Sequence, residues 1–283
     1  MTPVEQFGRQ LIQNGDLDPA YIVAFDAELK PDLLRKWVFL YSWFIHAGVT
    51  SHLAAQDHPY AAAMSELKIL PRSPERRHFR AANAVRTLEY LKTKSPDAWL
   101  KYWFGQDTTY APIEKRIREV PGFGAWTATK IIDMGEMLLG YSVDPPDPYT
   151  WELYKTPAEG AKMIASPGES QGDTLVRLAS LLSDLTVPPL HIRHVDVREA
   201  ETVLCRFKEF TTGTYQPGKE IRTTVNELLW RPNWIAKRML ERSSLWSFKS
   251  EGTTAQVSLR QFDASLTTTE YGMLSKPPTW STA

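Results

Sequence analysis

Cysteine is almost missing from this 283-residue chain, and the single Cys205 rules out an internal disulfide and any four-cysteine zinc or iron–sulfur site. Surplus charge of either sign is missing too. Thirty-three Lys and Arg are balanced by 33 Asp and Glu, so the chain does not hold a polyanion by bulk attraction. Any grip on nucleic acid has to come from local basic patches and backbone amides. Long hydrophobic runs are lacking: the longest apolar region, Trp37 to Leu53, is interrupted by Ser42, His46 and Ser51. No membrane span or signal peptide is expected. The chain also has no Gly-rich nucleotide loop and no G-x-S-x-G elbow. His191 and His194 have no CxxC or HExxH partner, so they read as polar loop residues and no metal site is expected.

Aromatics and prolines are plentiful: ten Trp, eleven Tyr and twenty Pro. Aromatics fill cores and stack on bases, and prolines punctuate helices. Helical spacing runs from Pro3 to Asn14, then from Pro31 through Leu33, Leu34, Trp37, Leu40, Tyr41, Phe44 and Ile45, a segment apolar enough to lie in a core. Further helices fit Tyr60 to Ile69, Glu75 to Lys94, Pro96 to Phe104 and Ala111 to Val120. The segment 157–172 reads as loop or broken helix. Helices follow over Thr174 to Asp184, Val197 to Phe210, and Lys219 to Arg242 with a break at Arg231-Pro232. No strong period-two run appears in the first half, so the expected class is all-α. Residues 1–246 should form one helical catalytic domain, and 247–283, rich in Ser and Thr, a loosely packed tail.

The hairpin region, 111–140, is organised around Val120-Pro121-Gly122-Phe123-Gly124-Ala125-Trp126-Thr127-Ala128. Pro121 stops one helix, the two glycines allow a tight turn, and another helix begins at once. Such an elbow offers backbone N–H groups to an anion, with a DNA phosphate the obvious choice. Gly122, Phe123, Gly124, Trp126 and Thr127 are therefore the DNA-binding candidates. Asp144 follows about twenty residues later, before Pro145-Pro146, and reads either as a catalytic acid or as the N-cap of a following helix.

These residues resemble the hairpin of the helix-hairpin-helix DNA glycosylases. Val120 takes the place of the usual leucine, and Val143-Asp144 falls at the interval where that superfamily carries its catalytic aspartate. The resemblance implies two helical lobes around a cleft. Trp126 stands where bifunctional members carry a Schiff-base lysine, so no lyase activity is expected.

Three other constellations could bear on chemistry. Lys68 to Lys94 holds eight Lys or Arg against two Glu, with Arg76, Arg80 and Asn83 on one helical face and Phe79, Ala82, Val85 and Leu88 on the other. It suits phosphate or pyrophosphate, or it is a solvated charged face. On the helix from Val197, Glu201, Cys205 and Lys208 form one stripe opposite Val203, Leu204, Phe207 and Phe210. That polar stripe reads as a cleft wall or as a second packing contact. The cluster Pro148-Tyr149-Thr150-Trp151-Glu152 follows Asp144 directly.

Taken together, Glu75-Arg76-Arg77-His78-Phe79-Arg80, the 148–152 cluster, and Glu201-Thr202-Val203-Leu204-Cys205-Arg206-Phe207-Lys208 followed by Tyr215 and Gly218-Lys219 resemble the amino acid:DNA transferases. These are also called α-glutamyl/putrescinyl thymine pyrophosphorylases and are encoded by bacteriophages with hypermodified thymines. The resemblance implies displacement of pyrophosphate from 5-pyrophosphoryloxymethyl-uracil in double-stranded DNA by the amine of a free amino acid, such as glycine, or of a polyamine. It implies Asp144 and Glu201 as catalytic carboxylates, and Arg76, Arg77, Arg80, Cys205, Lys208, Trp151 and Glu152 around base and pyrophosphate. No cofactor is called for, although a divalent metal assisting the pyrophosphate fits such chemistry. A monomer in the cytoplasm of an infected bacterium is expected. A monofunctional glycosylase and a non-catalytic DNA-binding module are the alternatives.

Overall fold

The computed structural model describes residues 1–73, 81–105, 107–247, 256–257 and 273–274. Among these are fourteen α-helices, so the all-α expectation holds. Five of them, α1 (Pro3–Gln13), α2 (Pro19–Asp26), α3 (Pro31–Phe44), α5 (Pro59–Glu66) and α7 (Pro96–Phe104), begin on proline. There its missing N–H costs nothing and its fixed φ suits the helix, which accounts for five of the twenty prolines. No described helix is long and apolar enough to cross a membrane. Of the tail, only Gln256–Val257 and Met273–Leu274 are described, as a two-residue parallel pairing.

The chain divides into two compact units. Unit 1 comprises Met1–Ala27, Asp147–Thr223 and Met239–Ala283, and unit 2 comprises Glu28–Pro146 and Thr224–Arg238. Unit 2 is built on α3, α7, α4 (Ala47–Ala54), α6 (Ala81–Leu91), α8 (Tyr110–Arg118) and α9 (Ala125–Leu139). Its core is aromatic: Trp37, Phe39, Trp43, Phe44, Trp99 and Trp103 have no exposed surface. Each such side chain contributes about 1.5–3 kcal/mol of burial. Phe39 and Trp103 stack with centroids 5.7 Å apart, and Phe104 lies flat on Tyr141 at 4.2 Å. Gly135 admits Phe104 against α9, since a Cβ there would sit 2.1 Å from the ring.

In unit 1, α12 (Val197–Thr211) packs with α1, α10 (Lys155–Ile164) and α11 (Gln171–Leu182). Capping boxes start α1 (Thr2 with Glu5), α11 (Ser170 with Asp173) and α12 (Asp196 with Glu199). Phe7 gathers Phe207, Phe210 and Tyr215 at 5.0–5.9 Å. Phe210, placed on the apolar stripe with Val203, Leu204 and Phe207, is 45% exposed at the end of α12.

The stretch His46-Ala47-Gly48 after α3 starts α4, and the segment 157–172, read as loop or broken helix, is a broken helix: α10 runs to Ile164 and α11 begins at Gln171. In both cases a glycine inside the helix serves close contact. A Cβ on Gly48 would lie 1.8 Å from the Glu227 carbonyl oxygen, and one on Gly160 would lie 2.3 Å from that of Leu204. The short α2, apolar on every side and without periodicity, was not anticipated. The remaining helices, α13 (Lys219–Leu229) and α14 (Trp234–Arg242), are separated at Arg231, as expected.

Candidate active site

In unit 2 the elbow between α8 and α9 is built as its residue types demand. Gly122 takes φ +84°, and Gly124 is the N-cap of α9 with no side chain to close the first turn. Both glycines are exposed, and nothing lies within 4 Å of a Cβ placed on Gly124. The N–H groups of Ala125 and Trp126 have no intrahelical acceptor, so the corner offers donors and positive dipole to an anion. Phe123 is 6% exposed and points inward, its ring 6.3 Å from that of Trp103. The Thr127 side chain is buried as well. These two shape the elbow from inside, while Gly122, Gly124 and the half-buried Trp126 form its outer face.

The turn is held from behind by α6. Thr87 Oγ1 is within hydrogen-bond reach of the Pro121 carbonyl and lies 2.8 Å from the Asn83 carbonyl. That contact sets the rotation of α6. Its buried stripe is Ala84, Thr87, Leu88 and Leu91, whereas Ala82 and Val85, expected to face inward, are exposed. Asn83 lies on the exposed side. Arg76, Arg77 and Arg80 fall outside the described residues.

Asp144 belongs to the same unit as the elbow, and its side chain is exposed. It does not cap a helix: the next one begins at Lys155, with Tyr154 in the N-cap position. Its amide donates to the Thr108 carbonyl at 2.6 Å, and the Thr108 hydroxyl donates to Oδ2 at 3.1 Å. The loop carrying Thr108 is clamped by Arg116 of α8. Arg116 donates from Nε to the Trp103 carbonyl at 2.8 Å and from Nη1 to Asp107 at 2.6 Å. The two helices of the hairpin are tied by Tyr110 and Thr129, whose hydroxyl oxygens are 2.6 Å apart. Elbow and carboxylate are thus fixed to one framework.

The other candidates belong to unit 1. Asp147 heads a turn, accepting the Tyr149 amide at 3.0 Å and the Thr150 hydroxyl at 3.1 Å. Tyr149 is 65% exposed and lies against Gly172, where a Cβ would be 2.6 Å from its ring. Trp151 is half-buried and Glu152 exposed. On α12, Glu201 is 7% exposed and accepts from the Thr202 hydroxyl at 3.2 Å, whereas Cys205 and Lys208 are half-buried. Lys208 Nζ is 3.5 Å from Glu159 of α10. The stripe is real, running from a buried carboxylate to an ammonium at the helix end.

Sequence reasoning missed the support beside that stripe. Arg206 lies under the surface between Glu209 (2.9 Å) and Glu220 (3.3 Å), over the Tyr215 ring. Burial opposes its charge, but the two glutamates raise the guanidinium pKa further. Tyr215, singled out within a motif, is 1% exposed and donates to the Asp16 carboxylate. Asp16 also accepts the amides of Gly218 and Ile221 at 2.5 and 2.9 Å, anchoring the start of α13. Only the partner of a buried hydroxyl could have marked Asp16, and sequence spacing does not give that. Among the described residues no group of three or more His, Cys, Asp or Glu is arranged to hold a metal ion.

Comparison with known proteins bears on the chemistry such residues perform. A family model described as amino acid:DNA transferase matches residues 6–215. A glycinyltransferase of Pseudomonas phage PaMx11 is 29% identical over 255 residues, covering 77% of this chain and 87% of that protein. A putrescinyltransferase of Delftia phage PhiW-14 is 27% identical over 228 residues, 73% of this chain and 72% of its own length.

Proposed function

The chain belongs to the amino acid:DNA transferase family, and from that premise we propose that it joins a small primary amine, glycine first among the candidates, to a pyrophosphorylated thymine derivative in phage DNA. The substrate is 5-pyrophosphoryloxymethyl-uracil within duplex DNA. The amine nitrogen forms a bond to the exocyclic methylene carbon, and the carbon–oxygen bond breaks with its electron pair leaving on pyrophosphate. The proton lost by the nitrogen passes to a carboxylate. The glycosidic bond stays whole. The host-cell cytoplasm is the corresponding place of action.

The observation that carries this proposal is the family match together with an exposed carboxylate, Asp144, on the same compact unit as the open Gly122–Gly124 elbow. The elbow takes a backbone phosphate, and the modified base leaves the stack to be reached. Trp126, Tyr149 and Trp151 offer aromatic surface for the extruded base or the gap it leaves. Asp144 faces the methylene as positive charge develops there and, with Glu201, is one of two carboxylates suited to take the amine proton. The guanidinium forks of Arg76, Arg77 and Arg80 and the ammonium of Lys208 are the groups whose chemistry suits a departing pyrophosphate.

Turnover of Asp144→Asn on pyrophosphorylated duplex tests the assignment of the acid. A fall in kcat of a hundredfold or more is expected, on the scale of general acid–base and electrostatic contributions. Turnover equal to that of the parent removes Asp144 from the chemistry.

A further inference from the structure

We propose that Thr108 is a positioning residue for the reaction, holding the Asp144 carboxylate in its working orientation; this rests on the catalytic assignment of Asp144 made above. Nothing in its own segment fixes that side chain. Asp144 follows Gly140, which ends α9 at φ +74°, and it precedes Pro145, so it lies in extended chain between elements. An exposed aspartate there would sample several rotamers, at a cost in ordering whenever the reaction needs one of them.

Thr108 supplies the constraint at two points. Its carbonyl accepts the Asp144 amide at 2.6 Å, fixing the backbone, and its hydroxyl donates to Oδ2 at 3.1 Å, fixing the carboxylate plane. Oδ1 carries no hydrogen bond among the described residues. One oxygen is therefore held while the other is left to take a proton or face a cation. Thr108 is held in turn. Its neighbour Asp107 is paired with Arg116 Nη1 at 2.6 Å, and Arg116 Nε is anchored on the carbonyl of the fully buried Trp103. Because Arg116 lies on α8, the first helix of the hairpin, the segment that presents the elbow also sets the direction of the acid. A phosphate seated on the elbow and a carboxylate aimed at the base are then in fixed register, the kind of supporting contact that a site on a loop otherwise lacks.

Steady-state and single-turnover kinetics of full-length variants on pyrophosphorylated duplex test this. Thr108→Val, which keeps the shape and deletes only the hydroxyl, is expected to lower kcat about tenfold, the scale of one hydrogen bond to a charged group, with KM for DNA and Tm close to the parent. Thr108→Ser, which restores the hydroxyl, should return kcat to within about twofold. In an Asp144→Asn background, Thr108→Val should cause no further loss, because its effect passes through that carboxylate. A parent-like kcat for Thr108→Val beside a slow Asp144→Asn overturns the positioning role alone. So does an equal further loss in the double variant. A parent-like rate for Asp144→Asn overturns the assignment of the acid and the role of Thr108 with it.

Discussion

Thr87 closes over the hairpin turn so tightly that a Cβ on Gly122 would come within 2.9 Å of its Oγ1. The two glycines of the elbow therefore differ in what they do. Gly122 combines that contact with φ +84°, so Gly122→Ala should cost about 1–2 kcal/mol of stability as well as DNA affinity. Gly124 has ordinary φ, −98°, and open space around it. Gly124→Ala should leave stability within about 0.5 kcal/mol, because alanine's poorer N-cap preference is offset by the smaller entropy of the unfolded chain, yet weaken DNA binding several-fold by placing a methyl where the proposal seats a phosphate. Melting curves and fluorescence anisotropy on a short duplex separate the two effects. Parent-like affinity in Gly124→Ala would put the phosphate elsewhere.

His46 makes stability depend on pH. Its Nδ1 accepts the Val49 amide at 3.2 Å, capping α4, and burial depresses the imidazole pKa from 6.5 to about 4. The folded state holds the ring neutral while the unfolded chain protonates it. The stabilisation is thus complete above pH 6.5 and is lost as the pH falls towards about 4, to a total on the order of 3 kcal/mol. Melting temperature against pH from 4 to 7 should show this slope in the parent and lose most of it in His46→Asn, which retains a capping oxygen.

Tyr215, marked by the resemblance to the transferases, donates to Asp16 and packs edge-on against Phe7, with Arg206 and Lys219 over its ring. Tyr215→Phe should lower stability by about 1–3 kcal/mol, since it withdraws a donor from a buried carboxylate. At temperatures well below the transition its kcat should stay within about twofold of the parent. A large loss of kcat in a folded Tyr215→Phe would assign the residue to the reaction instead.

Lys208 pairs with Glu159 at 3.5 Å on a partly exposed surface, and such a pair is worth at most about 1 kcal/mol. Lys208→Met should barely move the melting temperature. Its KM for pyrophosphorylated DNA should rise several-fold while affinity for unmodified duplex is unchanged. Equal weakening towards both DNAs would make Lys208 a general phosphate contact.

Much of this was legible from residue order because the signals were local. Pro121, Gly122 and Gly124 dictate an elbow by their backbone preferences, and the apolar spacing of α3, α9 and α12 dictates helices. What was not legible depended on a partner distant in sequence. Gly48 and Gly160 look like helix breakers until Glu227 and Leu204 are seen packed against them. Val85 looks like core until Thr87 turns α6 towards the Pro121 carbonyl. Asp144 was found by its interval from the hairpin, whereas Thr108, thirty-six residues upstream, has no sequence signal that ties it to that carboxylate.

The most direct measurement is the mass of the nucleosides released from product DNA. Duplex carrying 5-pyrophosphoryloxymethyl-uracil is incubated with the protein and an equimolar mixture of glycine, other amino acids and putrescine, then digested and weighed, with pyrophosphate assayed in parallel. A single amine adduct on an intact nucleoside, with one pyrophosphate released per adduct, is expected. A free modified base with an abasic site, or DNA bound but chemically unchanged, would contradict it.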